Sequence, residues 1–183
     1  MLIIGITGTL GAGKGTVVDF LVASRNFKHY SVSEYLTEEL VRQGRTVDRN
    51  GMREIANEIR TTYGPDFIVK KLFEKAKKES ANAIIESIRN PKEAEFIKNN
   101  GGYLFVVDAD QMTRYERVKS RGSEKDNVTF EEFKLQEEKE KQSRDPNAQN
   151  LSKCILIADY KFDNNDSIED LYDKIEKTIN KIN

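Results

Sequence analysis

The sequence has very little cysteine and histidine. Its one cysteine, Cys154, has no second cysteine with which to form an internal disulfide, and its one histidine, His29, leaves no Cys/His cluster that could bind zinc. Long hydrophobic runs are also missing, because the apolar N-terminal run breaks at Gly5 and Gly8 and no stretch of about 18 apolar residues could span a bilayer. These absences predict a soluble protein of the reducing cytoplasm.

Charge of one sign is not in excess either. The 30 Lys and Arg residues nearly balance the 31 Asp and Glu residues, so the total charge does not indicate nucleic acid or an anionic membrane as the main partner. A chain of 183 residues is long enough for one well-buried core and short for two. We therefore expect a single domain, a monomer or homodimer, with small molecules as its partners.

The most informative stretch is GTLGAGKGT at residues 8–16, directly after the apolar run. Its glycines let the backbone curl so that successive N–H groups face a phosphate, and Lys14 adds a positive charge at the outer phosphates. A helix that starts near Gly13 would direct its positive end at the same anion. The stretch predicts a phosphate-binding loop made of Gly8, Thr9, Leu10, Gly11, Ala12, Gly13, Lys14, Gly15 and Thr16.

Strand patterns alternate with helix patterns along the whole chain. Apolar runs without polar alternation are typical of parallel strands covered on both faces, and segments with helical spacing or capping residues lie between them. The predicted strands lie at about residues 2–7, 27–32, 82–87, 103–108 and 160–163. Because ligands bind outside the carboxyl ends of such strands, we expect the phosphate loop, residues 86–89 and residues 108–110 to meet there.

The composition changes between residues 123 and 150. Charge is dense there, large aliphatic residues are scarce, and Thr129 with Glu132 forms a capping box for a helix of mostly Glu, Lys and Gln. This pattern argues against a core segment. It fits either a solvated excursion or a mobile lid.

The glycine spacing of the loop resembles that of adenylate kinase and its nucleoside monophosphate kinase relatives, in which GKGT replaces the usual GK[ST]. The resemblance extends to IIESIRNP at residues 84–91 and to VVDADQMTRYERVKSRG at residues 106–122. It implies a three-layer α/β P-loop fold with a five-stranded parallel sheet in the order 2-3-1-4-5. It also implies an acceptor-binding helical insertion at about residues 34–78 and a lid at about residues 121–150.

The same resemblance implies ATP and Mg²⁺ as cofactors. Lys14 and Thr16 would hold the donor phosphates, and Thr16 with Glu86 would organise Mg²⁺ through water. Arg89 would hold the phosphate of the acceptor.

Three further arginines match the family's lid region. Arg117 would stack on the donor base and reach phosphate, and Arg121 would stand at the lid hinge, on the same face of one helix. Arg144, in QSRDPN, resembles the second arginine of the lid. Arg114 has no counterpart in the family and is expected at the surface.

The acceptor side departs from the family pattern. Ser33 and Glu34 follow it loosely and are predicted to bind the acceptor, but Thr37 stands where the family has an arginine. The acceptor phosphate therefore needs another cation, and our first candidate is Arg60. Behind it stand Arg53, Arg49 and Arg45.

These residues predict transfer of the γ-phosphoryl group of ATP to a nucleoside or deoxynucleoside monophosphate. ADYKFDNND at residues 158–166 resembles the end of dephospho-CoA-kinase-like proteins, so a dephospho-CoA kinase is one alternative. A nucleotide-binding regulatory protein with little turnover is another, and its best support is Thr37.

Overall fold

The computed structural model describes residues 1–122, 128–141, 143 and 145–182. Within these ranges a single sheet has the strands β1 (Ile3–Gly8), β2 (Lys28–Ser31), β3 (Ala83–Glu86), β4 (Tyr103–Asp108) and β5 (Tyr160–Asp163). Their order is β2-β3-β1-β4-β5, and each neighbouring pair is parallel. The predicted five-stranded sheet and its order are confirmed.

Helices follow the strands and cover both faces of the sheet. In chain order they are α1 (Lys14–Arg25), α2 (Val32–Arg42), α3 (Arg49–Tyr63), α4 (Phe67–Glu79), α5 (Pro91–Asn99), α6 (Gln111–Ser120), α7 (Phe130–Lys141), α8 (Leu151–Leu156) and α9 (Ile168–Ile182). The two sets of buried apolar residues lie on opposite faces, with helices α2, α3, α4, α5 and α8 on one and α1 and α9 on the other. The architecture is therefore the three-layer α/β arrangement.

Side-chain caps fix several helix starts. Ser31 accepts a hydrogen bond from the Glu34 N–H (3.2 Å), which begins α2 at the end of β2. Asp48 accepts a hydrogen bond from the Gly51 N–H (2.7 Å), so α3 begins at Arg49. These caps fix the first residues of α2 and α3.

A proline can serve as the first residue of a helix, which predicts that α4 begins at Pro65, but the helix begins two residues later. The Phe67 N–H donates to the Gly64 carbonyl (3.2 Å), which makes residues 64–67 a turn with Pro65 inside it. The helix then begins at Phe67, with Asp66 as its N-cap residue.

No helix within the described ranges combines the length and the apolar character needed to cross a bilayer.

Candidate functional site

The predicted phosphate loop joins the carboxyl end of β1 to α1. Gly8, Gly11 and Gly13 have φ values of 146°, 78° and 96°, which non-glycine residues rarely adopt. A Cβ on Gly8 would overlap the Val107 carbonyl, and a Cβ on Gly11 would overlap the Arg114 carbonyl. The loop thus packs directly against the backbone of β4 and α6, which leaves no room for a side chain at Gly8 or Gly11.

Lys14, the first residue of α1, turns its ammonium group back over the loop. Its Nζ donates hydrogen bonds to the carbonyl oxygens of Gly8 (3.0 Å) and Thr9 (2.8 Å). Burial, followed by the positive charge of Arg89, lowers the pKa of Lys14 to about 8, although Glu86 acts in the opposite direction. Lys14, Glu86 and Arg89 therefore share one electrostatic environment at the carboxyl edge of the sheet.

Glu86 ends β3 and faces this cluster. Its Oε1 accepts hydrogen bonds from the hydroxyls of Ser31 (3.2 Å) and Ser87 (2.8 Å), and Ser87 has a φ of 66°. Among the described residues, no three His, Cys, Asp or Glu side chains gather around a possible metal position. One carboxylate and the Thr16 hydroxyl still suit Mg²⁺, because this ion binds few protein oxygens and completes its shell with water and phosphate oxygens.

Arg89 lies in the turn between β3 and α5, close to helix α7. Its Nη1 contacts Oε2 of Glu140, and each of these side chains is 18% exposed. The charge of Glu140 also acts on Lys14. Helix α7, part of the predicted lid, thus places an acid among the cations at the edge of the phosphate loop.

A cavity of about 370 Å³ adjoins this cluster. It lies between α2, α3, α7 and the turn after β3, and it is lined by both Ser33 and Thr37. The charged residues that line it are Arg49, Arg53, Arg60, Arg89, Lys139, Asp48 and Glu140. Cations outnumber acids in this lining, so the cavity favours an anionic occupant.

Two of the residues predicted on the acceptor side lie away from this cavity. Glu34 is exposed on α2 and is not part of the lining. Arg45 is bound instead to Glu58 (2.8 Å) and Glu54 (3.4 Å) on α3. The cavity thus contains Ser33 and three of the candidate arginines of this segment, without these two residues.

Arg60 is only 1% exposed and is fixed by an acid. Its Nε and Nη2 donate to Oε1 of Glu93 (3.0 and 2.8 Å), and Glu93 is fully buried. The third nitrogen, Nη1, is buried and has no hydrogen-bond partner. Arg60 also lines the cavity, so one residue of the cavity wall carries an unsatisfied buried donor.

Arg114 was expected at the surface, but the structure shows that it is buried. It is 5% exposed, and it donates to the carbonyls of Ala109 (2.7 Å) and Leu10 (3.3 Å) while its Nη1 contacts Glu137 of α7. Burial opposes the ionisation of Glu137, but Arg114, together with the hydrogen bond from Gln111 and the charge of Lys141, holds the pKa of Glu137 below its usual value. Arg114 therefore joins the phosphate loop to α7.

The other two arginines predicted on this helix, Arg117 and Arg121, differ in burial. Arg117 is half-buried, and its Nη1 is buried without a hydrogen-bond partner. Arg121 is exposed at the end of α6, and its positive charge contributes to the lowered pKa of Lys14. Arg144 lies outside the described residues, and so does the segment 123–127 of the predicted lid.

One residue that supports the loop was missed by the sequence analysis. The buried carboxamide of Asn164 donates to the Ala12 carbonyl (2.8 Å), and a Cβ on Gly13 would overlap it. The Asn164 N–H in turn donates to the Asp108 carbonyl (2.8 Å). Its position directly after β5, at the carboxyl edge of the sheet, was the available signal.

The sheet order and the phosphate loop define a P-loop protein with a kinase-like α/β fold. A solved shikimate kinase from Aquifex aeolicus superposes on it with a TM-score of 0.59 at 20% identity, covering 98% of this chain and 97% of that one. At that identity the likeness shows the fold alone.

Sequence comparison places the chain in a family. The model of the AAA_18 family, described as an AAA domain, matches residues 4–145. A UPF0200 protein from Sulfurisphaera tokodaii is 29% identical over 181 residues, which cover 98% of this chain and 97% of that protein. Another from Methanothermobacter thermautotrophicus is 30% identical over 143 residues, 76% of this chain and 72% of that protein. The chain belongs to the AAA_18 family and to the UPF0200 proteins, and its P-loop domain implies nucleotide binding.

Proposed function

We propose that the protein is a Mg²⁺-assisted kinase that transfers the γ-phosphoryl group of ATP to a nucleoside or deoxynucleoside monophosphate. The observation that carries this proposal is the cation-rich cavity that adjoins the phosphate loop, with Arg89 between the two. A donor at the loop and a phosphorylated acceptor in the cavity would meet at the carboxyl edge of the sheet. The bond from the γ-phosphorus to ADP breaks, and a bond to an acceptor phosphate oxygen forms.

On the donor side, the loop N–H groups and Lys14 hold the phosphates. Lys14 exchanges its two loop carbonyls for phosphate oxygens, a stronger pairing because both partners are charged. Thr16 and Glu86 would hold Mg²⁺, which would neutralise phosphate charge. The neighbouring hydroxyls of Ser31 and Ser87 fix the Glu86 carboxylate.

On the acceptor side, Arg89 and Arg60 bind the phosphate, and Ser33 lies beside them in the cavity. The volume of about 370 Å³ is near the lower end of the roughly 300–1,000 Å³ typical of small-molecule sites. It favours a nucleoside monophosphate over dephospho-CoA, whose long pantetheine arm would extend beyond it.

The remaining arginines close the site. Arg117 and Arg121 on α6, with Arg144 from the lid at about residues 121–150, surround the transferring group and exclude water. The acceptor-binding insertion at about residues 34–78 supplies the cavity wall through α2 and α3. Both segments belong to one P-loop domain.

The test is ADP release from ATP and Mg²⁺ with a panel of acceptors: each ribo- and deoxynucleoside monophosphate, dephospho-CoA, and none. We expect strong stimulation by one monophosphate, and loss of it in Lys14→Ala. Lys71→Ala, an exposed residue on α4, is the matched control and should leave turnover unchanged.

Other outcomes point to the alternatives. Stimulation by dephospho-CoA alone would replace the acceptor that we propose. A flat response alongside tight ATP binding would contradict the kinase proposal and favour a regulatory nucleotide-binding protein. Full turnover in Lys14→Ala would contradict the donor site.

A further inference from the structure

Glu93 lies at the centre of a buried polar network beneath the cavity. Its Oε1 accepts two hydrogen bonds from the Arg60 guanidinium, and its Oε2 accepts from the backbone N–H groups of Arg89 and Asn90, each at 3.0 Å. Both oxygens therefore accept hydrogen bonds from the two chain segments that carry Arg60 and Arg89. Glu93 itself has no exposed surface with which to touch a ligand.

This arrangement orients Arg60. The Nε and Nη2 edge faces Glu93, so Nη1 is the nitrogen left for another partner, and it is buried without one. An arginine donates readily to two acceptors in one plane, and a pair formed along one edge fixes the direction of the rest. The carboxylate thus aims one N–H-bearing nitrogen of a cavity-lining residue.

The same carboxylate orients Arg89 through the main chain. Its two hydrogen bonds hold the turn from which Arg89 projects, and the buried side chain of Asn90 adds bonds to the carbonyls of Pro146 and Ala148 (both 2.8 Å). The turn is therefore fixed on two sides, and the Arg89 guanidinium reaches the cavity from a rigid base.

We propose that Glu93 is a positioning residue that sets Arg60 and Arg89 on a single anionic group in the cavity, a phosphate monoester. A monoester offers three terminal oxygens, enough to accept from both guanidiniums at once. The inference rests on the acceptor site of the proposed function. Glu93 is not a catalytic residue, because it acts only through the two arginines.

The test measures binding and not turnover. Inorganic phosphate is titrated calorimetrically into protein already saturated with ADP and Mg²⁺, so that the phosphate loop is occupied. Glu93→Gln keeps the size of the side chain but brings an NH₂ group toward donors on one side. We expect phosphate affinity to fall about 10-fold or more, as for loss of a charge-assisted hydrogen bond.

The matched control is Glu95→Gln, the same change two residues along α5, where the carboxylate is exposed and paired with Lys92. Its phosphate affinity should equal that of the wild type. Glu93→Gln that folds and binds phosphate like the wild type would overturn the proposal. So would a wild-type protein that binds no phosphate once ADP is in place.

One further variant decides the matter if Glu93→Gln does not fold. Arg60→Lys keeps a cation beside Glu93 and leaves the bonds from Glu93 to the backbone N–H groups of Arg89 and Asn90 in place, but it lacks the further guanidinium nitrogen. We expect it to fold and to bind phosphate about 10-fold or more weakly. Wild-type affinity in this variant overturns the proposal. If phosphate binding behaves as expected while no acceptor is phosphorylated, the kinase proposal fails and the role of Glu93 stands.

Discussion

Nucleotide affinity should fall steeply above neutral pH, because of Lys14. Burial and the charge of Arg89 lower its pKa from 10.5 to about 8, so the protein without nucleotide loses this positive charge as the pH rises through 8. Phosphate oxygens favour the charged form, so binding nucleotide raises the pKa again and takes up a proton. The charge that the donor phosphates need is thus present below pH 8 and must be restored, at a cost in affinity, above it.

The size of the effect follows from the two pKa values. With a pKa of about 8, the fraction of protonated Lys14 falls about eightfold between about pH 7.5 and pH 9, and the dissociation constant rises by the same factor. A lysine at 10.5 would change affinity by only about 3% over that range. The two cases are therefore easily told apart.

The assay is isothermal titration calorimetry with ADP and Mg²⁺ at several pH values, in buffers that differ in ionisation enthalpy. Proton uptake should approach about one per ADP bound near pH 9. Lys14→Ala should bind weakly at every pH, with a nearly flat profile. A flat wild-type profile, or an equal slope in Lys14→Ala, would refute the assignment of this proton to Lys14.

Three other predictions concern the loop and α7. Gly11→Ala should abolish nucleotide binding, because its Cβ would overlap the Arg114 carbonyl at a positive φ, whereas Gly15→Ala should fold normally, since a Cβ there meets nothing within 4 Å. Thermal unfolding with and without ADP tests both variants, and stabilisation of Gly11→Ala by ADP would contradict the first prediction. Arg114→Met should cost about 1.5–3 kcal/mol of unfolding free energy, since the buried Glu137 carboxylate loses its Arg114 partner and keeps only Gln111 and the more distant Lys141. A loss in urea unfolding below about 1 kcal/mol would disprove it. Glu140→Gln should lower the acceptor KM about fivefold by freeing Arg89, as measured by initial rates; an unchanged or higher KM would count against it.

The parts of the fold that follow from local patterns could be predicted. All six residues of β1 are buried, as expected of a run without polar alternation. Thr129 and Glu132 form the reciprocal bonds expected of their capping box. The strand order does not follow from local patterns, because strand pairing joins segments that are distant in sequence. It was predicted from the family resemblance of the loop and the arginine motifs.

The buried ion pairs of the site could not be predicted in this way. Arg60 is bound by Glu93, which is 33 residues away in sequence, and Arg114 by Glu137, which is 23 residues away. Nothing in the local sequence distinguishes these arginines from solvated ones, so Arg114 was expected at the surface. The sequence did indicate Arg60 as a cation of the acceptor side, but only the structure shows the acid that orients it.

The cations of the site differ in what a ligand must displace. Arg60 is bound to Glu93, which does not line the cavity, and one of its buried nitrogens has no hydrogen-bond partner. Arg89 is in contact with Glu140, and Lys14 is bound to two neutral carbonyls. A phosphate in the cavity therefore replaces one acid, on Arg89, and that acid belongs to α7. In the proposed acceptor site, such preorganisation would reduce the cost of binding, so Arg60 would support affinity directly, whereas the exchange at Arg89 would link acceptor binding to the position of α7.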